Sequence, residues 1–180
     1  MHEAPDPVVL HPADVLRARC APVGEIGEEM RQLGRRLAAS MHAARGIGLA
    51  APQIGVSLRA VAVGLPSKGV LVPVIMFDPE ILWTSKTRTS LAEGCLSLPG
   101  RRFLVTRPEA VRVSFTDMDG HRVVGELSGL SAKCVQHEID HLDGVLILDR
   151  GEEVLPDLPQ AGPGEGGSDL PRNSAASLNR

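Results

Sequence analysis

One run of residues restricts this chain more than any other: Gln136-His137-Glu138-Ile139-Asp140-His141, preceded by Leu130, Cys134 and Val135 and followed by Leu142. Apolar residues on both flanks predict a buried helix, from about Ser128 as cap to a stop at Asp143-Gly144. Burying that many polar groups without partners costs several kcal/mol. The fold must therefore surround the helix and supply partners for it. Two histidines four apart lie one turn above each other, so both imidazoles can hold one ion from a single helical face. The intervening Glu138 is placed to take a proton from water beside that ion. The plainer alternative is a pair of surface histidines.

A catalytic ion needs a third protein ligand and an open position. No His follows His141, and the next acids, Glu152 and Glu153, fall in a segment with little apolar content. Cys134 lies about 7.5 Å along the helix axis from the midpoint of the histidines, too far for a thiolate. It reads as a small buried hydrophobe. Cys95, in Glu93-Gly94-Cys95-Leu96-Ser97-Leu98-Pro99-Gly100, has glycines on both sides and reads as a core thiol or as a ligand. A third segment, Gly46-Ile47-Gly48-Leu49-Ala50-Ala51-Pro52-Gln53, is small and apolar with one amide. It reads as a tight loop on the core, or as a cleft wall with Gln53 donating a hydrogen bond.

The rest of the chain predicts α+β. Ile26, Met30, Leu33, Leu37 and Met41 recur at helical spacing, with Gly46 as a stop. Leu58 to Gly64 and Val70 to Phe77 read as strands, the second edged or broken by Pro73. Val111, Val113 and Phe115 alternate with polar residues, Asp119-Gly120 supplies a turn, and His121 to Leu127 returns antiparallel. From Gly151 to Arg180 there are five Gly, four Pro and three Ser, with five acidic residues against two basic. Residues 1–150 are therefore expected to form one catalytic domain, balanced at 17 charges of each sign, and 151–180 a disordered acidic tail.

Composition removes several function classes. The net charge of −3 disfavours a duplex-coating protein, and four aromatics with no Tyr leave little to stack on single strands. The apolar stretch from Gly69 to Phe77 falls far short of the ~20 residues a membrane helix needs. No secretory signal is visible at the start, and three cysteines at unrelated spacings suit reduced thiols, which predicts a cytoplasmic protein.

GIGLAAPQ, EGCLSLP and QHEIDH, in this order, resemble the three signature motifs of the peptide deformylases. The similarity runs from about His11 to Arg150. It implies that family's fold, antiparallel sheets packed around a central helix carrying HEIDH, and removal of the formyl group from the N-terminal methionine of newly made polypeptides. By the same resemblance Cys95, His137 and His141 are metal ligands and Glu138 is the acid–base residue. Gln53 and Leu96 become donors to the formyl oxygen, and Gly48, Ile47 and Arg102 face the substrate. The implied cofactor is one divalent ion, Fe(II) first, with Zn(II), Ni(II) or Co(II) as substitutes. His42 stands where many members carry Tyr, and Asp78 where Asn is usual. Several bacterial members dock on the ribosome through a basic C-terminal helix, which the acidic tail here cannot form. The competing readings are a metallopeptidase cutting internal amide bonds and a non-catalytic metal-binding domain.

Overall fold

In the computed structural model, residues 4–155 and the strand at 177–179 are described. The amphipathic pattern near the N-terminus forms helix α1 (Glu28–Ala43), burying Leu33, Leu37 and Met41. Each such side chain contributes about 1.5–3 kcal/mol. Gly46 is not the residue that turns the chain out of the helix. Arg45 takes the left-handed conformation (φ 54°), and the Gly46 N–H then returns to the Met41 carbonyl at 2.9 Å.

Next come β1 (Gly48–Ala50), β2 (Ala60–Ser67) and β3 (Val70–Thr84). β4 (Arg88–Cys95) and β5 (Leu98–Pro108) follow, then β6 (Ala110–Thr116) and β7 (Arg122–Ser128). The helix bearing the histidines is α2 (Gly129–Leu142), trailed by β8 (Gly151–Val154) and β9 (Ser177–Asn179). A six-stranded sheet has the order β1-β2-β3-β6-β7-β9, and a second sheet the order β4-β5-β8, all pairs antiparallel.

Strand β2 shows why a nearly all-apolar run was needed. Ala60 and Ala62 face α1 with Leu37 and Phe77, whereas Val61, Val63 and Leu65 face α2 with Val135 and Ile139. Alternate side chains thus enter two different cores, one on each face of the sheet. Pro73 pairs with Gly64 on β2, in a part of β3 that β6 does not reach, so its missing donor breaks no ladder. Asp78 sits at a register shift in β3 with φ 47°, a conformation that Asp tolerates, and accepts the Val23 N–H at 2.9 Å.

The boundary expected at Arg150 is corrected by β8. Gly151–Val154 pairs with Arg102–Val105 of β5, and Glu153 forms a bidentate ion pair with Arg101 at 2.7 and 2.8 Å. The composition of the segment as a whole hid these four residues. Gly151 is required there because a Cβ would lie 2.2 Å from the Leu104 carbonyl oxygen. Ser177–Asn179 adds to the edge of β7. The rest of the predicted tail, 156–176 and 180, lies outside the described residues. No helix among the described residues is long and apolar enough to cross a membrane.

Candidate metal centre and cleft

Helix α2 runs between the two sheets, and the β4–β5 hairpin brings Cys95 to it. The cysteine closes β4, pairs with Leu98, and leaves Leu96-Ser97 as the two-residue turn. The N-terminal stretch fastens the same region. The His11 N–H donates to Ser97 O at 2.9 Å and the Val9 N–H to Gln53 O at 2.8 Å.

The Cys95 Sγ lies 3.3 Å from His141 Nε2, and one donor atom each from Cys95, His137 and His141 fall within 4.8 Å of one another. The two imidazoles stand 5.1 Å apart, centroid to centroid. Donors around a tetrahedral ion, at ~2.3 Å for sulfur and ~2.0–2.1 Å for nitrogen, are separated by about 3.3–3.6 Å. The cluster is thus within a small adjustment of that spacing. One further observation fits a cation. Glu138 Oε2 is buried with no hydrogen-bond partner among the described residues, and such an orphan is costly in a neutral core. His141 Nδ1 also has no partner among them, but Nε2 is the nitrogen that faces Cys95.

His137 is oriented from behind. Its Nδ1 meets Glu93 Oε2 at 3.0 Å, so the other ring nitrogen is the one left for the cluster. Glu93 in turn takes a bidentate pair from Arg107 (2.7 and 3.0 Å), and Arg107 reaches Asp140 at 2.7 Å. Arg150 closes the series on Asp140 at 2.5 and 3.1 Å. The Glu93–Arg107 pair is therefore interior, with side chains 7% and 6% exposed. A network of four charges on β4, β5, α2 and the segment after it holds one histidine in place.

The electrostatics follow burial. Burial pushes the Glu138 carboxyl up to about 7, against the opposing pull of His137 and Arg107. His141 is pushed down to about 3 by burial, helped by the positive charges of His137 and Arg107. For His137 burial opposes the proton, but hydrogen bonds to Cys95 and Glu93 prevail and raise it to about 10. A cation held by both imidazoles needs both neutral, so binding would release the His137 proton.

A cleft of about 820 Å³ opens over this cluster, with Gly48, Gln53, Leu96 and Leu130 in its walls and Arg102 at its rim. Ile47 and Cys134 also line it, and the Cys134 thiol donates to the Ile47 carbonyl at 3.4 Å. Cys134 stands outside the three-residue cluster, as its helical position required. Gln53 accepts the Ala50 N–H at 2.9 Å. Its NH2 group is directed to Ser97 Oγ (3.1 Å) and Cys95 Sγ (3.6 Å). Gly48 packs against Glu138 so closely that a Cβ would lie 2.3 Å from Oε1. His42 is exposed on α1 and is not among the residues lining the cleft. Sequence reasoning missed the contact of Glu93 with His137 and the role of Asp140. For Glu93 the only signal was a charged residue in an otherwise small and apolar motif, and Asp140 was one polar residue among several in its own.

Three soft and borderline donors, a buried carboxylate on the same helix and an open cleft define the class: a metal-dependent hydrolase. The comparisons give the family. The model of the polypeptide deformylase family matches residues 5–155. Peptide deformylase 2 of Gloeobacter violaceus is 40% identical over 160 residues, covering 87% of this chain and 86% of that protein. The peptide deformylase of Methylocella silvestris is 42% identical over 147 residues, 79% of this chain and 75% of that one. Among solved structures, the Thermotoga maritima peptide deformylase superposes with a TM-score of 0.79 at 34% identity, covering 83% of this chain and 99% of that one. A Synechococcus elongatus peptide deformylase in complex with actinonin gives 0.77 at 38% identity, with 84% and 81% covered. The chain belongs to the peptide deformylase family, metal-dependent hydrolases that remove the N-formyl group from newly made polypeptides.

Proposed function

We propose that Cys95, His137 and His141 hold one divalent cation, Fe(II) in the cell, and that this centre deformylates nascent chains with Glu138 as the proton carrier. The observation that carries the reading is the convergence of the three donor atoms within 4.8 Å, beside a carboxylate whose Oε2 has no other partner. When bound, the cation supplies the Lewis acidity that makes water a nucleophile near neutral pH. A thiolate donor makes the set softer than three imidazoles, which suits Fe(II) under reducing conditions and exposes the sulfur to oxidation in air. Zn(II), Ni(II) or Co(II) would fit the same donors.

Glu138 takes a proton from the water that adds to the formyl carbon and delivers it to the amine nitrogen as the C–N bond breaks, releasing formate. Burial raises this carboxyl, to about 7 before a cation binds, which favours its taking up a proton. The charge that grows on the formyl oxygen is met by the Leu96 N–H and the Gln53 amide, once Gln53 turns from Ser97. One such donor is worth about 2.7–4 kcal/mol of barrier. The peptide lies between two sheet edges, β1 with Ile47 and Gly48 on one side and β4 with Arg102 beside it on the other. Ile47, Leu130 and Cys134 offer the methionine side chain its apolar surface. A cytoplasmic setting suits three unpaired cysteines.

The test compares a formyl-methionyl tripeptide with its unformylated twin on the metal-loaded protein. Formate from the first, with the peptide bonds of both intact, is the expected result. Cleavage of an internal bond would replace this reading with that of a peptidase.

A further inference from the structure

The charges around the cleft are sorted by depth. Its two carboxylates, Glu93 and Glu138, are 7% and 4% exposed and lie at the floor, the first already committed to Arg107 and His137. The rim carries Arg45, Arg101 and Arg102. Arg101 is occupied by Glu153 and stacks over Phe103 at 5.1 Å. Lys133 also borders the cleft, but its ammonium is bound to Glu109 at 2.9 Å. Arg102 is anchored by one nitrogen to the Ala92 carbonyl at 2.7 Å. Among the described residues neither Arg45 nor Arg102 meets a carboxylate, so the mouth keeps two uncompensated positive charges on opposite walls.

We propose that this mouth selects nascent chains by charge, favouring an Asp or Glu a few residues after the formyl-methionine, with Arg45 as the specificity residue. The inference rests on the deformylase reading above and adds the class of peptide preferred. Position supports it. Gly48 abuts Glu138 and so marks the reacting end of the cleft. Arg45 is three residues further out, no more than ~10 Å along the wall at ~3.3 Å per extended residue. An extended substrate would present its second or third residue after the methionine there. Arg45 is also held in place by the left-handed turn that ends α1 (φ 54°), so its side chain leaves from a fixed backbone site.

The experiment measures kcat/KM for formyl-Met-Ala-Glu, formyl-Met-Ala-Gln and formyl-Met-Ala-Lys on the metal-loaded protein. Expected is the order Glu, Gln, Lys, with about a threefold to tenfold spread between the ends at low salt. The spread should narrow toward 0.15 M salt, as the screening length falls from ~30 Å to ~8 Å. Arg45→Glu, which leaves Arg102 balanced by a new carboxylate, should erase the preference for Glu over Lys. Arg45→Asn, which removes the charge yet tolerates a left-handed backbone, should shrink the spread without reversing it. Equal rates on the three peptides, or an order that neither substitution alters, would overturn the selection while leaving the deformylase reading intact. No formate from any of them would defeat that reading and this inference with it.

Discussion

Replacing Gly48 by Ala tests how finely the fold places Glu138. An added Cβ would stand 2.3 Å from Glu138 Oε1, 2.9 Å from its Cδ and 2.7 Å from Cys134 Sγ. Ordinary contact begins near 3.4 Å, so the carboxylate must retreat by about 1 Å. It is 4% exposed and lies on a helix buried between two sheets, so little room exists to absorb that shift without turning it from the cleft. A displacement of ~1 Å costs ~10²-fold, and complete loss of a positioned base costs about 10²–10⁴-fold. The expected result is therefore a kcat/KM for formate release reduced at least about 100-fold. Overpacking should cost a further ~1–3 kcal/mol of stability. Metal content should not change, because the three donors lie outside the clash. The assay pairs formate release with metal analysis and a denaturant midpoint on the same preparation. A variant that folds, keeps its metal and turns over within threefold of the parent would refute the claim that Gly48 sets the position of Glu138.

Arg107→Met leaves the carboxylates of Glu93 and Asp140 buried beside each other, and should cost about 3–5 kcal/mol in a urea titration. A loss below ~1 kcal/mol would show that the network adds nothing to the fold. In the metal-free protein Glu138 is held near 7, above its unfolded value of ~4.3, so the folded chain binds its proton more tightly. That stabilisation is complete below about pH 4 and is lost as pH rises to about 7. Metal-free Glu138→Gln should then be more stable than the metal-free parent at pH 8, by roughly 3–4 kcal/mol, with the gap narrowing to about 1 kcal/mol at pH 5. A gap that does not change with pH would contradict the burial assigned to this carboxylate.

Much of the architecture could be read from local pattern. The spacing of Leu33, Leu37 and Met41 marks α1, Asp119-Gly120 marks the β6–β7 hairpin, and the apolar flanks of HEIDH mark α2 as interior. These signals lie within a dozen or so residues of one another. The β4–β5–β8 sheet was not legible, because Gly94, Pro99 and Gly100 interrupt alternation in the segment where Cys95 turns. Strand β8 was missed because its four residues were averaged into a Gly/Pro-rich segment. At the site, His137 and His141 declare each other by helical spacing, whereas Cys95 needs a strand register more than forty residues away to join them. The contact of Glu93 with His137 and the bridging of Arg107 and Arg150 by Asp140 are likewise products of tertiary packing. No periodicity encodes them.

In the proposed centre a sulfur and two imidazoles converge to hold one catalytic cation. Anaerobic purification of the parent and of Cys95→Ser, with metal content and formate release measured on each, tests it most directly. The account predicts about one divalent ion per parent chain with turnover of a formyl-methionyl peptide. In Cys95→Ser it predicts weakened binding or a changed metal preference, with a matching fall in turnover. An unchanged metal profile in Cys95→Ser would contradict it.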